Sequence, residues 1–303
     1  SFPTRRSSDL EPNPVFAMVR EALVALSLDE AHCGTDAWNP LGEFVAPGAT
    51  ILVKPNWVLH RNEGGGGMEE MITHPSVIRA VLEYVFLARP KRVILGDAPL
   101  QGCDFAALMA TEGLNGVVGE FRGRGLPLEV VDFRRTVSRE TASGAGKVRY
   151  VAEGARGLEH YLEPDLGSES FLEPLSGGAD TFRVTMYDPA KLPTHHAPGR
   201  HRYLMAREAF EADLVVNLPK LKAHKKAGLT CCLKNLIGLN GMKEYLPHHR
   251  CGKTGDSHPV RSPLADALEK SLDILNRHRS SPKAYAFFER VVYAVERLRQ
   301  RRS

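Results

Sequence analysis

The chain has 303 residues, 43% hydrophobic and 25% charged, an ordinary composition for a globular protein with a substantial core. A formal net charge of +4, from 40 basic and 36 acidic side chains, is too small to indicate nucleic-acid binding by itself. The chain contains no apolar run of roughly eighteen residues, which argues against a membrane span, and its five scattered cysteines favour a reducing, cytoplasmic setting.

The first ten residues differ from the rest of the chain. SFPTRRSSDL has no apolar periodicity and matches the translation of a common short-read sequencing adapter. We interpret residues 1–10 as an artefact of sequence assembly and exclude them from the fold. On this interpretation we expect the native N-terminus to be missing. We expect the C-terminus, ERLRQRRS, to be cut short as well.

Helical and strand patterns alternate over the first 133 residues. Residues 12–27 and 73–88 carry apolar positions at helical spacing, with Thr73 expected to cap the second helix and Pro75 in its first turn. Short apolar runs predict buried strands at ATILVKPNW, KRVILGDAP and LPLEVVDF. The alternation predicts an α/β fold with a Rossmann-like, mostly parallel sheet and flanking helices.

The rest of the chain changes in character twice. Residues 134–202 are polar and rich in glycine and proline, which predicts a β-rich insertion. The run DLVVNLP then predicts a fourth strand of the main sheet, and residues 262–303 predict amphipathic C-terminal helices. We therefore predict one α/β domain over residues 11–303.

Polar residues stand at the predicted carboxyl ends of the first strands, where parallel sheets bind ligands. Lys54 and Asn56 follow the first strand, and His74 opens the second helix. These three residues are candidates for binding a carboxylate or phosphate. Asp97 ends the second strand, and three roles remain open for it: a ligand-orienting carboxylate, a general base or a helix cap.

A lysine-rich segment, Lys220–Lys226, follows the fourth strand. A solvated basic loop, an anion site and a nucleic-acid surface are all compatible with it. The absence of interleaved aromatic residues argues against nucleic acid. We expect Lys222 to act as a point charge for an anionic small molecule.

Lys234 stands alone in the apolar, small-residue segment AGLTCCLKNLIGLNG. Desolvation would lower the pKa of this lysine and make its amine a nucleophile or a covalent anchor. The alternative is a lysine that snorkels to solvent from a buried helix start.

Histidines concentrate in two segments. His195 and His196 precede the fourth strand, while His248 and His249 follow Lys234. Neutral imidazole is a ligand for zinc, nickel or iron, so these four residues are candidate metal ligands. Each of them alone is more often a surface or hydrogen-bonded histidine, and it is their concentration in two segments that favours a metal site.

Several motifs resemble a known family over most of the chain, from about residue 12 onwards. They are VKPNW, THPSVIRAV, RVILGDAP, GRHRYLMARE and, above all, DLVVNLPKLKAHKKAGLTCCLKNLIGLNGMKEYLPHHR. The family is the bacterial and archaeal domain of unknown function 362, and the resemblance implies no settled activity. Some of its members carry a ferredoxin-like segment. Because this chain has no Cys-x-x-Cys series, no iron–sulfur cluster is expected.

A second, distant resemblance is to the cofactor-binding region of lactate racemase, which holds a nickel–pincer nucleotide. The racemase pattern His-x-x-Ala-Gly-x-Thr-x-x-x-Lys is matched by His224, Ala227, Gly228, Thr230 and Lys234. The resemblance implies a nickel-pincer-like adduct on Lys234, a cofactor contact or proton transfer by His224, and a metal ligand at His248 or His249.

The chain also departs from the racemase pattern. Cys231 and Cys232 replace glycines, and Gly96-Asp97-Ala98-Pro99 stands where the racemases have Gly-Thr-His-Arg. One catalytic histidine therefore has no counterpart, and neither has the racemases' large C-terminal catalytic domain.

These observations predict an enzyme or cofactor-handling protein that binds an anionic small molecule, together with a metal, at the carboxyl edge of the sheet. The alternative is a non-catalytic accessory protein that uses Lys220–Lys226 for a partner. His248 and His249 are expected to close over the site. The candidate catalytic residues are Lys234, His224 and Asp97, and the candidate cofactor-binding residues are Lys54, Asn56, His74, Lys222, Gly228, Thr230 and Asn235.

Overall fold

The computed structural model describes residues 13–111, 113–143, 146–184, 187–224, 228–251, 263–279 and 281–300. Residues 1–10, interpreted above as an artefact, lie outside this set. In chain order, the helices are α1 (Pro14–Ala25), α2 (Pro75–Leu87), α3 (Phe105–Met109), α4 (Leu114–Gly123), α5 (Leu192–His195), α6 (Glu208–Glu211), α7 (Cys232–Asn235), α8 (Pro263–Arg277) and α9 (Pro282–Gln300). The strands are β1 (Thr50–Pro55), β2 (Arg92–Asp97), β3 (Leu128–Asp132), β4 (Thr136–Ser143), β5 (Gly146–Glu153), β6 (Tyr161–Leu162), β7 (Phe182–Arg183), β8 (His196–Ala197), β9 (Arg200–His201), β10 (Met205–Ala206), β11 (Leu214–Leu218), β12 (Lys222–His224), β13 (Gly228–Thr230) and β14 (His249–Arg250).

The chain divides into two compact units. Unit 1 comprises residues 1–133 and 208–239, and unit 2 comprises residues 134–207 and 240–303. The predicted insertion, 134–202, and the C-terminal helices both fall in unit 2. That the two units form the single predicted domain stays a prediction.

Unit 1 contains a parallel four-stranded sheet in the order β11-β1-β2-β3. The α/β class and the mostly parallel sheet are therefore confirmed, including the return of the chain to the sheet as β11. All residues of β1 are buried, as expected for a central parallel strand that is covered on both faces. Lys54 lies beside Asn217 in the register of β1 and β11, so their side chains leave the sheet at the same level.

The core of unit 1 lies between the sheet and its helices. Ile51 and Val53 of β1 belong to one buried apolar cluster with Ile78 and Leu82 of α2 and Phe121 of α4. The helical spacing of apolar residues in 73–88 is thus explained by burial of one face of α2 against the sheet.

The predicted cap of α2 was wrong. His74 is the N-cap, and its ring Nδ1 accepts from the backbone N–H of Ser76. Thr73 is unavailable because its Oγ1 donates to Leu218 O at 2.6 Å and accepts from Asn56 N at 2.8 Å. Thr73 therefore ties the start of α2 to the ends of β1 and β11 instead of capping the helix.

Unit 2 is built from short antiparallel pairs and helices. The pairs are β4–β5, β6–β10, β7–β14 and β8–β9. Helices α8 and α9 pack against each other, and a buried cluster contains Phe182, Val184, Tyr187 and Leu192. Within the described residues, no helix combines the length and apolar character needed to cross a membrane.

Candidate functional site

A buried ion pair joins the carboxyl ends of β1 and β2. Lys54 Nζ lies 2.8 Å from Asp97 Oδ1, and the two side chains are 0% and 2% exposed. Lys54 also donates to Pro55 O at 2.7 Å, while Asp97 Oδ2 accepts from the backbone N–H of Trp57 at 2.6 Å. Burial lowers the pKa of Lys54, although Asp97 opposes that shift. These contacts hold the ends of β1 and β2 together.

Gly238 makes room for this ion pair. A Cβ atom at Gly238 would lie 1.9 Å from Asp97 Oδ1 and 2.6 Å from Lys54 Nζ. The carbonyl oxygen of Gly238 accepts from Ala98 N at 2.8 Å, which holds the Gly238 backbone close to the end of β2. The position therefore requires glycine because the backbone approaches a buried charge pair, a role that the sequence analysis did not identify.

Asn235 connects α7 to the sheet through all of its hydrogen-bonding positions. Its Oδ1 accepts from Asn56 Nδ2 at 2.9 Å and Lys54 Nζ at 3.3 Å, and its Nδ2 donates to Asn217 Oδ1 at 2.8 Å and Lys54 O at 3.2 Å. Asn217 in turn donates to Cys232 O at 2.9 Å. Because Asn235 is only 1% exposed, this satisfied network fixes α7, and with it the backbone of its lysine.

Asn217 was not among the predicted residues. Its position at the end of β11 becomes meaningful only once the pairing of β11 with β1 is known, since that register places it beside Lys54.

The hairpin of β12 and β13 presents predicted site residues on one face. Lys222 lies directly opposite Thr230, and His224 follows two residues later on the same face. Lys222 Nζ donates to Asn56 Oδ1 at 2.7 Å and to Met71 O. This face of the hairpin is therefore turned towards the carboxyl end of β1.

The hydroxyl of Thr230 is a buried polar group without a described partner. Thr230 is 2% exposed, and its Oγ1 has no hydrogen bond to any residue in the described part of the chain. Buried hydroxyls nearly always find a partner, so this one marks a position for a water molecule or a polar ligand atom. Gly228, opposite His224, has φ +70°, the left-handed conformation that favours glycine.

This edge of unit 1 carries unbalanced positive charge. Burial, and then repulsion from Lys234 and Lys220, lowers the pKa of Lys222 to about 8, against an opposing effect of Asp97. Burial also lowers the pKa of Lys234. Asp97, the only acid that acts on Lys222 among the described residues, is already paired with Lys54. An anion would relieve this repulsion.

His74 lines a separate cleft of about 560 Å³ at the start of α2. Ile72 also lines this cleft. The residues that alternate with these two along the chain have other contacts: Met71 O accepts from Lys222 Nζ, and Thr73 Oγ1 accepts from Asn56 N. The described hydrogen bonds of His74 are to Ser76. The predicted cofactor contact of His74 stays a prediction.

The histidines predicted to bind metal lie in unit 2. His196 is fully buried, its Nδ1 lies 3.2 Å from His201 Nδ1, and its Nε2 lies 2.7 Å from Tyr245 O. On the other side of the His201 ring, Nε2 lies 3.0 Å from Glu173 Oε2. Burial lowers the pKa of His196 and so favours its neutral form.

The other three histidines have neighbours of their own in unit 2. His195 lies 3.2 Å from Glu163, His248 Nδ1 lies 2.9 Å from Leu246 O, and His249 belongs to β14. Within the described residues, no group of three or more His, Cys, Asp or Glu side chains is assembled to hold a metal ion. Metal binding by His195, His196, His248 and His249 stays a prediction.

Comparison with known proteins identifies related sequences. The profile of a family described as Domain of unknown function (DUF362) matches residues 51–158 and 168–294. The curated thylakoid-associated protein sll1697 of Synechocystis sp. is 26% identical over 238 residues, which are 78% of this chain and 54% of that protein. The chain thus spans about half the length of the curated relative that it matches. No solved structure matches this chain.

Proposed function

The chain belongs to the DUF362 family, and we propose that it binds an anionic small molecule at the carboxyl edge of the unit 1 sheet, as an enzyme or a cofactor-handling protein. The proposal is carried by the partly buried Lys222 and Lys234, which repel each other while the nearby carboxylate is committed to Lys54. A bound anion would balance these charges, and the Thr230 hydroxyl, which bonds to no described residue, would donate to it.

The residues at this edge divide into supporting and ligand-contacting groups. Lys54, Asp97 and Asn235 hold the strand ends and α7 in place through buried contacts. Lys222 is a cation fixed by Asn56 and Met71, suited to binding a carboxylate or phosphate. Lys234 supplies an amine for a covalent bond, and His224, on the same hairpin face as Lys222, is a candidate for proton transfer.

The resemblance to lactate racemase extends this proposal to a covalently held cofactor. A partly buried amine that makes no hydrogen bond within the described residues fits an adduct on Lys234. A nickel-pincer-like group bound there would bring its own nickel ion. His224, Thr230 and Lys234 are the residues that would hold it.

The anion site is tested by measuring the binding of sulfate, phosphate and pyruvate to the full chain by calorimetry. We expect saturable binding that weakens about tenfold or more in Lys222→Gln, because a charge-assisted hydrogen bond contributes about 1.5–3 kcal/mol. The matched control is Lys91→Gln, an exposed lysine at the opposite end of β2, which leaves binding unchanged. Equal affinities of wild type and Lys222→Gln would contradict the proposal.

Covalent loading is tested separately, by intact-mass and metal analysis of the protein purified from its native host. A mass addition that maps to Lys234, or a stoichiometric metal, supports the cofactor-handling role. An unmodified chain without metal counts against the pincer resemblance.

A second candidate function, a non-catalytic accessory protein, is favoured by exposed apolar side chains beside the lysine-rich segment. Leu221, Leu229 and Leu233 are 64%, 53% and 86% exposed. Leu229 falls on the hairpin face opposite Lys222, since it pairs with Ala223 and neighbouring residues of a strand alternate between faces, and Leu221 directly precedes β12. Exposed apolar groups rimmed by charge are typical of protein interfaces.

The two candidates make different predictions for the variant Leu221→Ser/Leu229→Ser. If the hairpin docks an apolar, acidic partner, this variant loses a protein that co-purifies with wild type from the native host. If the anion site is the function, the variant binds pyruvate as wild type does.

A further inference from the structure

The lysines at the carboxyl edge of unit 1 differ in what holds their nitrogen atoms. Lys54 is locked in the buried pair with Asp97, and Lys222 donates to Asn56 and Met71. Lys234 is partly buried, yet its Nζ makes no hydrogen bond or ion pair to any residue that the structure describes. Its amine is therefore free to move onto a ligand, and burial raises the fraction that is unprotonated by lowering its pKa.

The backbone that carries this amine is fixed. Asn235, the next residue of α7, is buried and bonded to Asn56, Asn217 and Lys54. A nucleophile on a rigid element, next to a fixed cation, can hold a ligand at two points and align it for attack. The fixed cation is Lys222: its Nζ donates to Asn56 Oδ1, and Asn56 Nδ2 donates to Asn235 Oδ1, so one amide links Lys222 to the residue that follows Lys234.

We propose that Lys234 forms an imine with a small molecule that carries a carbonyl group and a carboxylate or phosphate. This inference rests on the proposed anion site and adds the chemistry of its ligand. Lys222 would bind the anionic group while the Lys234 amine attacks the carbonyl carbon.

The step balances without a further reactant. The nitrogen lone pair forms the new C–N bond, and the carbonyl π electrons move to the oxygen. Loss of that oxygen as water, with the two hydrogens of the amine, leaves a C=N bond. No atom is oxidised or reduced, so the site needs only the amine and the ligand.

A neutral amine beside a cation is suited to this reaction for a physical reason. An anion alone would be bound best by two ammonium groups, whereas burial of Lys234 favours loss of its proton. Once formed, a protonated imine restores the positive charge next to the ligand's anionic group. The ion pairing is then stronger in the product than in the complex with a neutral amine.

The test is reductive trapping on the full chain. Wild type is incubated with pyruvate or glyceraldehyde 3-phosphate, and with acetone and propionaldehyde as neutral carbonyl controls. Sodium borohydride then reduces any imine to a stable secondary amine, and peptide mapping locates the added mass. We expect one dominant modification, at Lys234, with the anionic carbonyls.

Three variants sharpen this test. Lys234→Arg keeps the charge and loses the trapped product, and its thermal melting verifies that it folds. Lys222→Gln reduces trapping of the anionic carbonyls at least tenfold and leaves trapping of the neutral ones unchanged. Lys91→Arg, at an exposed lysine, traps as wild type does.

The possible outcomes separate this inference from the proposed function. If pyruvate binds in calorimetry but nothing is trapped at Lys234, the imine is excluded and the anion site stands. If modification is spread over exposed lysines and persists in Lys234→Arg, the imine is again excluded. If no anion binds, both ideas fail together.

Discussion

Lys54 Nζ and Asp97 Oδ1 lie 2.8 Å apart at the ends of neighbouring parallel strands, with side chains 0% and 2% exposed. Each charge of this buried pair depends on the other, because an isolated buried charge costs several kcal/mol of folding free energy. Here Lys54 Nζ also donates to Pro55 O, and Asp97 Oδ2 accepts from the backbone N–H of Trp57. The pair is therefore part of the scaffold that carries Lys222 and Lys234, the lysines proposed to contact a ligand.

Removing one partner of this pair should destabilise the fold strongly. We expect Asp97→Ala to lower the free energy of unfolding by about 3–5 kcal/mol, since Lys54 is left buried and unpaired. The double variant Lys54→Met/Asp97→Leu should recover a large part of this loss. Urea unfolding of both variants checks the prediction, and a loss that is no smaller in the double variant would contradict it.

Gly238 should not tolerate a side chain. Its Cβ would fall 1.9 Å from Asp97 Oδ1, so Gly238→Ala forces the pair or the backbone to shift, at a cost of about 1–3 kcal/mol. Gly119→Ala, within α4, meets nothing within 4 Å and should be neutral or stabilise by up to about 1 kcal/mol. Thermal melts of the two variants make a matched comparison, and equal melting temperatures would argue against the tight fit.

Anion affinity should fall as the pH rises through the pKa of Lys222, about 8. The ammonium form binds the anion, so affinity is full below that pH and drops by up to about tenfold per pH unit above it. Sulfate is the appropriate probe because its own charge is constant over this range. In Lys222→Arg the cation persists, so the fall in affinity should move to higher pH. Calorimetry across this range would refute the assignment if both proteins gave the same profile.

Buried His196 should make the protein sensitive to acid. Burial lowers its pKa below the ordinary 6.5, so the unfolded chain takes up a proton at a pH where the folded chain does not. This contribution to stability is present above pH 6.5 and is lost as the pH falls towards the lowered pKa. His196→Gln should therefore lose less stability than wild type between neutral and mildly acidic pH.

The control for His196 is His160→Gln, a substitution of a histidine whose side chain is 52% exposed. Its melting temperature should depend on pH as that of wild type does. The role of His196 would be excluded if the His196→Gln and wild-type melting temperatures declined in parallel.

Local patterns were sufficient to predict the secondary structure around the site. The apolar run before Lys54, the helical spacing after His74 and the run before Lys220 each produced the expected element, because burial of one face or of both faces imposes a period on the sequence. The cap of α2 was missed, since Thr73 is drawn into contacts with Leu218 and Asn56 that a local pattern does not contain.

The amino-acid sequence by itself determined the α/β class, the four parallel strands and the segment in which Lys222, Thr230 and Lys234 occur. Only the tertiary structure decided what each polar residue does. Hydrogen bonds and ion pairs reach about 3 Å, so they depend on which residues distant in sequence meet. Lys54 pairs with Asp97, and Asn235 is bonded to the sheet, while no described residue bonds the amine of Lys234.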